Sequence, residues 1–297
     1  MILQVNQLSK TFGAHSVIGD VSFQLQSKSA TALIGPNGAG KTTILTMLAG
    51  LLAPTNGEII MPNVKDIRTA IGFLPQYPQF FSWMTALECL ELSAKLSGVE
   101  QKHAKHKAMQ TLAFVGLEKD AKKRIGTFSG GMKQRLGIAQ AIVHDPALVL
   151  LDEPVSALDP TGRRMMMDLL KELTETTTIL YSTHILNDAE QITDQLLFLK
   201  DGTLVEQGKL STIQQKYQQP KIVIEFTTVE EAQRFAHVWN TVATCEHVYV
   251  ETVNPIHTMQ QVVTSIYEMQ LNVKKLEHVT TSLEEIYMKV ANNDESN

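Results

Sequence analysis

Several residue classes that mark common protein designs are scarce in this sequence. It has two cysteines, Cys89 and Cys245, in 297 residues. Two cysteines so far apart form neither a disulfide framework nor a zinc-binding set, and a reducing compartment is the expectation. No apolar run approaches the roughly 18 residues that span a bilayer. Met1 to Gln4 is not a basic segment leading into an apolar one, so no signal peptide is expected. Positive charge is not in excess. The formal net charge is -5, which argues against nucleic acid as a partner. Internal repeats and heptad runs are lacking. Aromatic residues make up only 6% of the chain, so any cluster of them stands out.

What is present suits a folded protein. The chain is 43% hydrophobic and 19% charged, enough for a packed core and too apolar for general disorder. Its length predicts one large domain and one small one. Short strands are expected at 2–5, 17–18 and 21–25, the last alternating with period two. Thr31 to Ile34 and Leu148 to Leu151 are continuous apolar runs, as in a buried parallel sheet. Ile44, Leu45, Leu48, Leu51 and Leu52 have helical spacing. The stretch 85–145 is mostly helical in pattern, with a capping box at Thr85 and Glu88 and a stop at Gly98. Arg164 to Leu173 reads as helix and Ile179 to Ser182 as strand. Leu196–Leu199 and Thr203–Val205 flank Asp201-Gly202 as a hairpin. A polar stretch at 214–220 ends in Pro220 and reads as a linker. Beyond it the pattern restarts as strand, helix, strand, helix, strand, helix, with capping boxes at Thr228/Glu231 and Thr281/Glu284. Leu283, Ile286, Tyr287 and Val290 share one helical face. The last six residues are expected to fray.

The chemistry concentrates in three places. Gly35-Pro36-Asn37-Gly38-Ala39-Gly40-Lys41-Thr42, followed by Thr43, has the P-loop pattern between a strand and a helix. Its glycines let backbone N–H groups turn around phosphate oxygens, and the helix N-terminus adds positive potential. Lys41 offers a point charge to the β- and γ-phosphates, and the Thr42 hydroxyl a ligand to Mg²⁺. Second, Ser129-Gly130-Gly131 opens another helix. Alone it is a common turn, but its place ahead of an apolar strand ending in acids makes it a second anion site. One nucleotide has one γ-phosphate, so that site needs another phosphate or another subunit. Third, Leu148–Leu151 leads into Asp152 and Glu153. Asp152 is placed to hold Mg²⁺ and Glu153 to orient or deprotonate a water. By itself Phe12 reads as a core residue rather than an adenine platform, and His184 reads equally as structural or catalytic. His103, His106 and Lys122–Arg124 read as solvated surface.

With these motifs in this order, residues 1–215 resemble the ATP-binding subunits of ABC transporters. The resemblance implies an α/β P-loop NTPase core with an antiparallel β subdomain and a helical subdomain at about 77–145. A small α+β accessory domain over 216–297 would follow. It implies that Phe12 stacks on adenine and that Gln76 joins the Mg²⁺ and water network. Ser129, Gly130 and Gly131 match the family signature. Ser156-Ala157-Leu158-Asp159 matches the loop at the dimer contact, and His184 the histidine on the γ-phosphate. ATP and Mg²⁺ are the implied cofactors. The implied partners are a second ATPase, identical or related, and a separate membrane permease. The implied place is the cytoplasmic face of the membrane. Ser-Gly-Gly-Met-Lys-Gln-Arg at 129–135 and Thr281 to Tyr287 resemble the subfamily that powers bacterial type-2 exporters. The signature departs from the usual form at Phe128, where leucine is usual, and at Met132, where glutamine is usual. Met132 cannot donate a hydrogen bond. An importer subunit or a soluble ATPase of the same family are the rival readings.

Five of the chain's eighteen aromatics, Phe73, Tyr77, Phe80, Phe81 and Trp83, fall within 73–83. Following Gln76 directly, they are either a pocket for a permease helix or the core of the helical subdomain.

Overall fold

The computed structural model describes every residue except Ala157, Gln218, Gln219, Val253, Thr280, Thr281 and 293–297. The chain divides into two compact units, Met1–Leu210 and Ser211–Asn297.

In chain order, the first unit runs β1 (Leu3–Phe12), β2 (His15–Leu25), β3 (Ala30–Ile34), α1 (Lys41–Leu48), β4 (Asn56–Ile60) and β5 (Ile71–Leu74). Then follow α2 (Ala86–Leu96), α3 (Gln101–Phe114), α4 (Gly130–Ile142), β6 (Leu148–Leu151), α5 (Pro160–Thr174) and β7 (Thr178–Thr183). It ends with α6 (Leu186–Ile192), β8 (Gln195–Lys200) and β9 (Thr203–Lys209). Six strands form one sheet in the order β5-β6-β7-β3-β8-β9. All neighbours in it are parallel except β9, which turns back on β8. Every residue of β3, β6 and β7 is buried, the condition that their unbroken apolar or small-polar runs require. A second, antiparallel sheet has the order β2-β1-β4. Leu3, Val5 and Phe23 of that sheet share one core with Ile44 and Leu48 of α1 and with Leu33 and Leu150. The P-loop helix is therefore held in apolar contact with both sheets.

β1 and β2 are longer than the expected fragments at 2–5, 17–18 and 21–25. They pair from Leu3↔Leu25 to Phe12↔His15, with register shifts after Val5, Leu8 and Lys10. Gln7 and Asp20 adopt positive φ. Such irregularities break the two-residue period on which a sequence reading depends. α1 is shorter than its apolar spacing suggests. Gly50 at φ 70 reverses the chain, and the Leu51 N–H bonds back to Thr46 O at 3.0 Å. Leu51 is left exposed. The capping box at α2 forms as expected: Glu88 N donates to Thr85 Oγ1 at 3.2 Å, and Thr85 N to Glu88 Oε2 at 2.8 Å.

The second unit contains most of α7 (Leu210–Tyr217), then β10 (Lys221–Phe226), α8 (Val229–Val238), β11 (Ala243–Thr244) and β12 (His247–Glu251). After these come α9 (Pro255–Glu268), β13 (Val273–Val279) and α10 (Leu283–Asn292). The stretch expected as a linker at 214–220 is thus helical through Tyr217. The antiparallel sheet order is β11-β12-β10-β13. Ile222, Ile224 and Phe226 of β10 meet Phe235 of α8 and Val262 of α9 in the core. Thr228 caps α8 by accepting from Glu231 N at 3.3 Å, but the reciprocal half of the capping box is replaced. The Glu231 carboxylate instead accepts from the Thr227 hydroxyl and from Asn272 N and Nδ2, the latter two at 3.0 and 2.9 Å. The Thr227 hydroxyl first, then the Asn272 backbone, hold that carboxyl down at about 2. The box expected at Thr281 lies outside the described residues, and Ser282 Oγ accepts from Glu285 N at 3.2 Å there.

Candidate active site

Parallel strands place their carboxyl ends together, and ligands of such sheets bind there. β6, β7 and β3 are adjacent. Their ends gather Asp152 and Glu153, Ser182 and His184, and the P-loop, which lie far apart in sequence. The loop turns through Gly38 at φ 84 and Gly40 at φ 104. A Cβ on Gly40 would also lie 2.3 Å from Ile18 Cδ1, so glycine is needed for space as well as conformation.

The side chains form one network. Thr42 Oγ1 donates to Asp152 Oδ2 at 2.8 Å. Ser182 Oγ donates to Asp152 Oδ1 at 2.7 Å and accepts from Glu153 N at 2.8 Å. Lys41 Nζ donates to Gly35 O at 2.7 Å and Pro36 O at 3.2 Å, and lies 3.4 Å from Glu153 Oε1. His184 Nδ1 is 2.8 Å from Glu153 Oε2. Lys41, Asp152 and Glu153 are all buried, whereas the His184 ring is about half exposed. Glu153 has φ 49, a conformation a long side chain adopts only where its surroundings enforce it. Asp152 N donates to Leu74 O at 2.9 Å. That bond ties the acids to the end of β5, two residues before the half-buried Gln76.

The bonded oxygens of Thr42 and Asp152 have the chemistry of part of a hard cation site. Among the described residues no group of three or more His, Cys, Asp and Glu could hold a metal ion. Mg²⁺ held chiefly by phosphates and water requires none.

Phe12 ends β1 half exposed, with Lys10 Nζ 5.0 Å from its ring centroid. That ammonium takes one face of the ring. Ser129 is the N-cap of α4 and accepts from Met132 N at 3.3 Å. Ser129, Gly130 and Gly131 line a cleft of about 490 Å³ together with Leu158, Asp159 and Met165, and no P-loop residue contributes to its walls. Asp159 Oδ1 caps α5, accepting from Gly162 N at 3.1 Å. Ser156 Oγ donates to Glu153 O at 3.1 Å. Ala157 lies outside the described residues. Within one chain, therefore, the P-loop and Ser129–Gly131 do not share that cleft. Phe128 is buried and Met132 half-buried.

The aromatic cluster divides. Phe73 packs on the main core. Tyr77, Phe81 and Trp83 are 69%, 61% and 69% exposed, and Phe81 and Trp83 lie 5.7 Å apart by ring centroid. Tyr77, but neither Phe81 nor Trp83, lines a groove of about 490 Å³ with Pro78, Leu96, Gln140 and His144. Burial pushes the His144 imidazole down from its ordinary value.

Ser182 was readable in sequence only as the end of a strand. Its signal was a polar residue on a wholly buried strand, two positions before His184.

Residues 18–156 match the ABC transporter family, and residues 208–291 match the C-terminal domain of DrrA1-3-like ATP-binding proteins. The chain is 42% identical to the uncharacterized ABC transporter ATP-binding protein YxlF of Bacillus subtilis, over 97% of this chain and 99% of that protein. It is 32% identical to the Nod factor export ATP-binding protein I of Cupriavidus metallidurans, over 70% of this chain and 71% of that protein. Its fold is similar to a dimeric ATP-binding cassette solved in a post-hydrolysis state with ADP and phosphate. The TM-score is 0.64 at 28% identity, over 70% of this chain and 99% of that one.

Proposed function

Because this chain belongs to the ATP-binding proteins of ABC transporters and is an ATPase subunit of such a transporter, we propose that it works as a nucleotide-sandwiching dimer that drives export through a separate permease. The observation that carries this reading is that the P-loop network and Ser129–Gly131 do not share a cleft within one chain. Lys41, Thr42, Asp152, Glu153 and His184 form one connected network, which would be the half-site for hydrolysis. Ser129 to Gly131 face another cleft, and a second protomer, identical or related, would bring its own copy of them to the nucleotide.

In this reading adenine stacks on Phe12, and the N–H groups from Gly38 to Thr43 cradle the phosphates. Lys41 exchanges its carbonyl and carboxylate partners for phosphate oxygens. Thr42, Asp152 and Gln76 would hold Mg²⁺, which when bound neutralises phosphate charge. Glu153 orients and deprotonates the attacking water. His184 fixes the Glu153 carboxylate and reaches the γ-phosphate. Ser156, Leu158 and Asp159 line the dimer contact. ATP binds the closed pair better than the open one and shifts the population toward closure.

Among the described residues no helix is long and apolar enough to cross a membrane, so membrane attachment would come through the permease. Export is supported by the relative named for Nod factor export. With Mg²⁺ and a non-hydrolysable ATP analogue, solution scattering is expected to give a mass near twice that of one chain. A lone protomer with nucleotide bound at saturation would reject the sandwich.

Tyr77, Phe81 and Trp83 would form part of the permease-docking surface. Their exposure disfavours the alternative that they are core residues. Trp83→Ala is expected to leave the ATPase of the isolated chain within about twofold, because removing an exposed side chain rarely alters folding. In vesicles containing the co-purifying permease, the same change is expected to depress transport about tenfold or more. Equal loss of both activities would restore the core reading.

A further inference from the structure

We propose that Ser182 is a positioning residue for hydrolysis, fixing the two acids at the end of β6 relative to each other through a single hydroxyl. This rests on the reading of Asp152 as the metal-side acid and Glu153 as the water-side acid.

The geometry leaves little freedom. Ser182 is fully buried. The backbone ladder between β6 and β7 ends at the pair Leu151↔Tyr181. One residue further on, Asp152 faces Ser182, and side-chain bonds continue the connection. Glu153 N–H can only donate, and it donates to Ser182 Oγ at 2.8 Å. A hydroxyl has one proton, and Asp152 Oδ1 lies 2.7 Å away to receive it. The chain of bonds therefore runs one way, from the Glu153 backbone through Ser182 to Asp152.

Both acids are then gripped from two sides. Asp152 accepts from Ser182 on one oxygen and from Thr42 of the P-loop on the other, at 2.8 Å. Glu153 is held at its backbone by Ser182 and at its carboxylate by His184 Nδ1, at 2.8 Å. Ser182 and His184 follow one another at alternate positions on the same run of chain. Glu153 also keeps φ 49, which needs an external constraint. The Ser182 hydroxyl supplies one directly on its N–H.

Removing the hydroxyl frees the Glu153 backbone and one Asp152 oxygen, while Asp152 keeps its bond from Thr42 of the P-loop. Ser182→Ala is expected to lower kcat roughly 10- to 100-fold, the scale of a misplacement near 1 Å. The KM for MgATP, and the affinity for a fluorescent ADP measured without Mg²⁺, are expected to stay within about threefold. Ser182→Thr restores the hydroxyl and is expected to recover most of the rate. Should the added methyl crowd the site, the double variant Ser182→Ala with Glu153→Gln decides. If Ser182 acts through Glu153, the double variant loses no more single-turnover rate than Glu153→Gln alone. Turnover of Ser182→Ala within twofold of the parent would overturn the inference. So would an equal fall in kcat and nucleotide affinity together with multiplicative losses in the double variant. Should Glu153→Gln itself turn over normally, the reading of the acids fails first. An inactive Glu153→Gln beside an unaffected Ser182→Ala sinks the Ser182 inference alone.

Discussion

Glu153→Gln is expected to lower ATP turnover by at least about 100-fold, the lower end of what a positioned general base contributes. Nucleotide binding is expected to survive. The substitution keeps the side-chain shape and every backbone bond at that position: the N–H on Ser182 Oγ, and the carbonyl accepting from Ser156. What changes is charge. Lys41 loses the carboxylate 3.4 Å from its ammonium and becomes freer to turn to phosphate. The ion pair is buried on both sides, so its loss is felt without the screening that weakens surface pairs. Binding should hold or tighten while hydrolysis stops, and the closed dimer should accumulate with ATP. Phosphate release and size-exclusion chromatography in Mg-ATP check the two halves of this expectation. Near-normal phosphate release would remove Glu153 from the role of base, and loss of both binding and hydrolysis would make it a structural residue of the P-loop.

The large features of the fold were legible because they follow from burial. Leu148 to Leu151 and Thr31 to Ile34 are unbroken because both faces of the central sheet are covered, and both became the strands that carry the site. The helix behind the P-loop was legible for the same reason. Its end was not, because Leu51 continues the apolar spacing after Gly50 has already turned the chain into solvent. β1 and β2 were read as fragments because Gln7 and Asp20 interrupt the alternation with positive φ while pairing continues past them. The helix through Tyr217 was hidden by a polar, glutamine-rich composition that gives no apolar stripe, only Ile213 being buried there.

At the site the motif residues could be named from sequence, but their connections could not. Nothing local in Ser182 announces that it accepts from one acid and donates to the next. That fact belongs to the pairing of β6 with β7. The aromatic cluster is the opposite case. Its composition was visible, and only exposure separates Phe73, packed on the core, from Tyr77, Phe81 and Trp83 on the surface.

The largest loss of stability is expected from a single methyl group at Gly72, outside the phosphate-binding motifs. Gly72 lies in β5, where α4 crosses against it. A Cβ there would stand 1.9 Å from Ala141 O and 2.8 Å from Ala141 C. Both are backbone atoms of α4, so no side-chain rotation relieves the clash. One turn back, a Cβ on Gly137 would lie 2.5 Å from Leu74 Cδ1, so β5 and α4 touch closely along their length. Overpacking usually costs 1–3 kcal/mol, and a backbone-on-backbone clash belongs at about 3 kcal/mol. For a unit the size of Met1–Leu210 that corresponds to a fall in Tm of roughly 6–12 °C. Gly130→Ala is the matched control: its new methyl meets nothing within 4 Å, and its Tm is expected to stay within about 2 °C. Gly72→Ala also bears on assembly. Ser129 caps the far end of α4, and β5 leads into Gln76, so displacing α4 from β5 shifts the signature relative to the hydrolytic half-site. Gly72→Ala is therefore expected to weaken ATP-dependent dimerisation even at temperatures where it remains folded. Unchanged melting and unchanged dimerisation in Gly72→Ala would mean that α4 can slide on β5 without cost, and the rigid link between the two phosphate faces would be wrong.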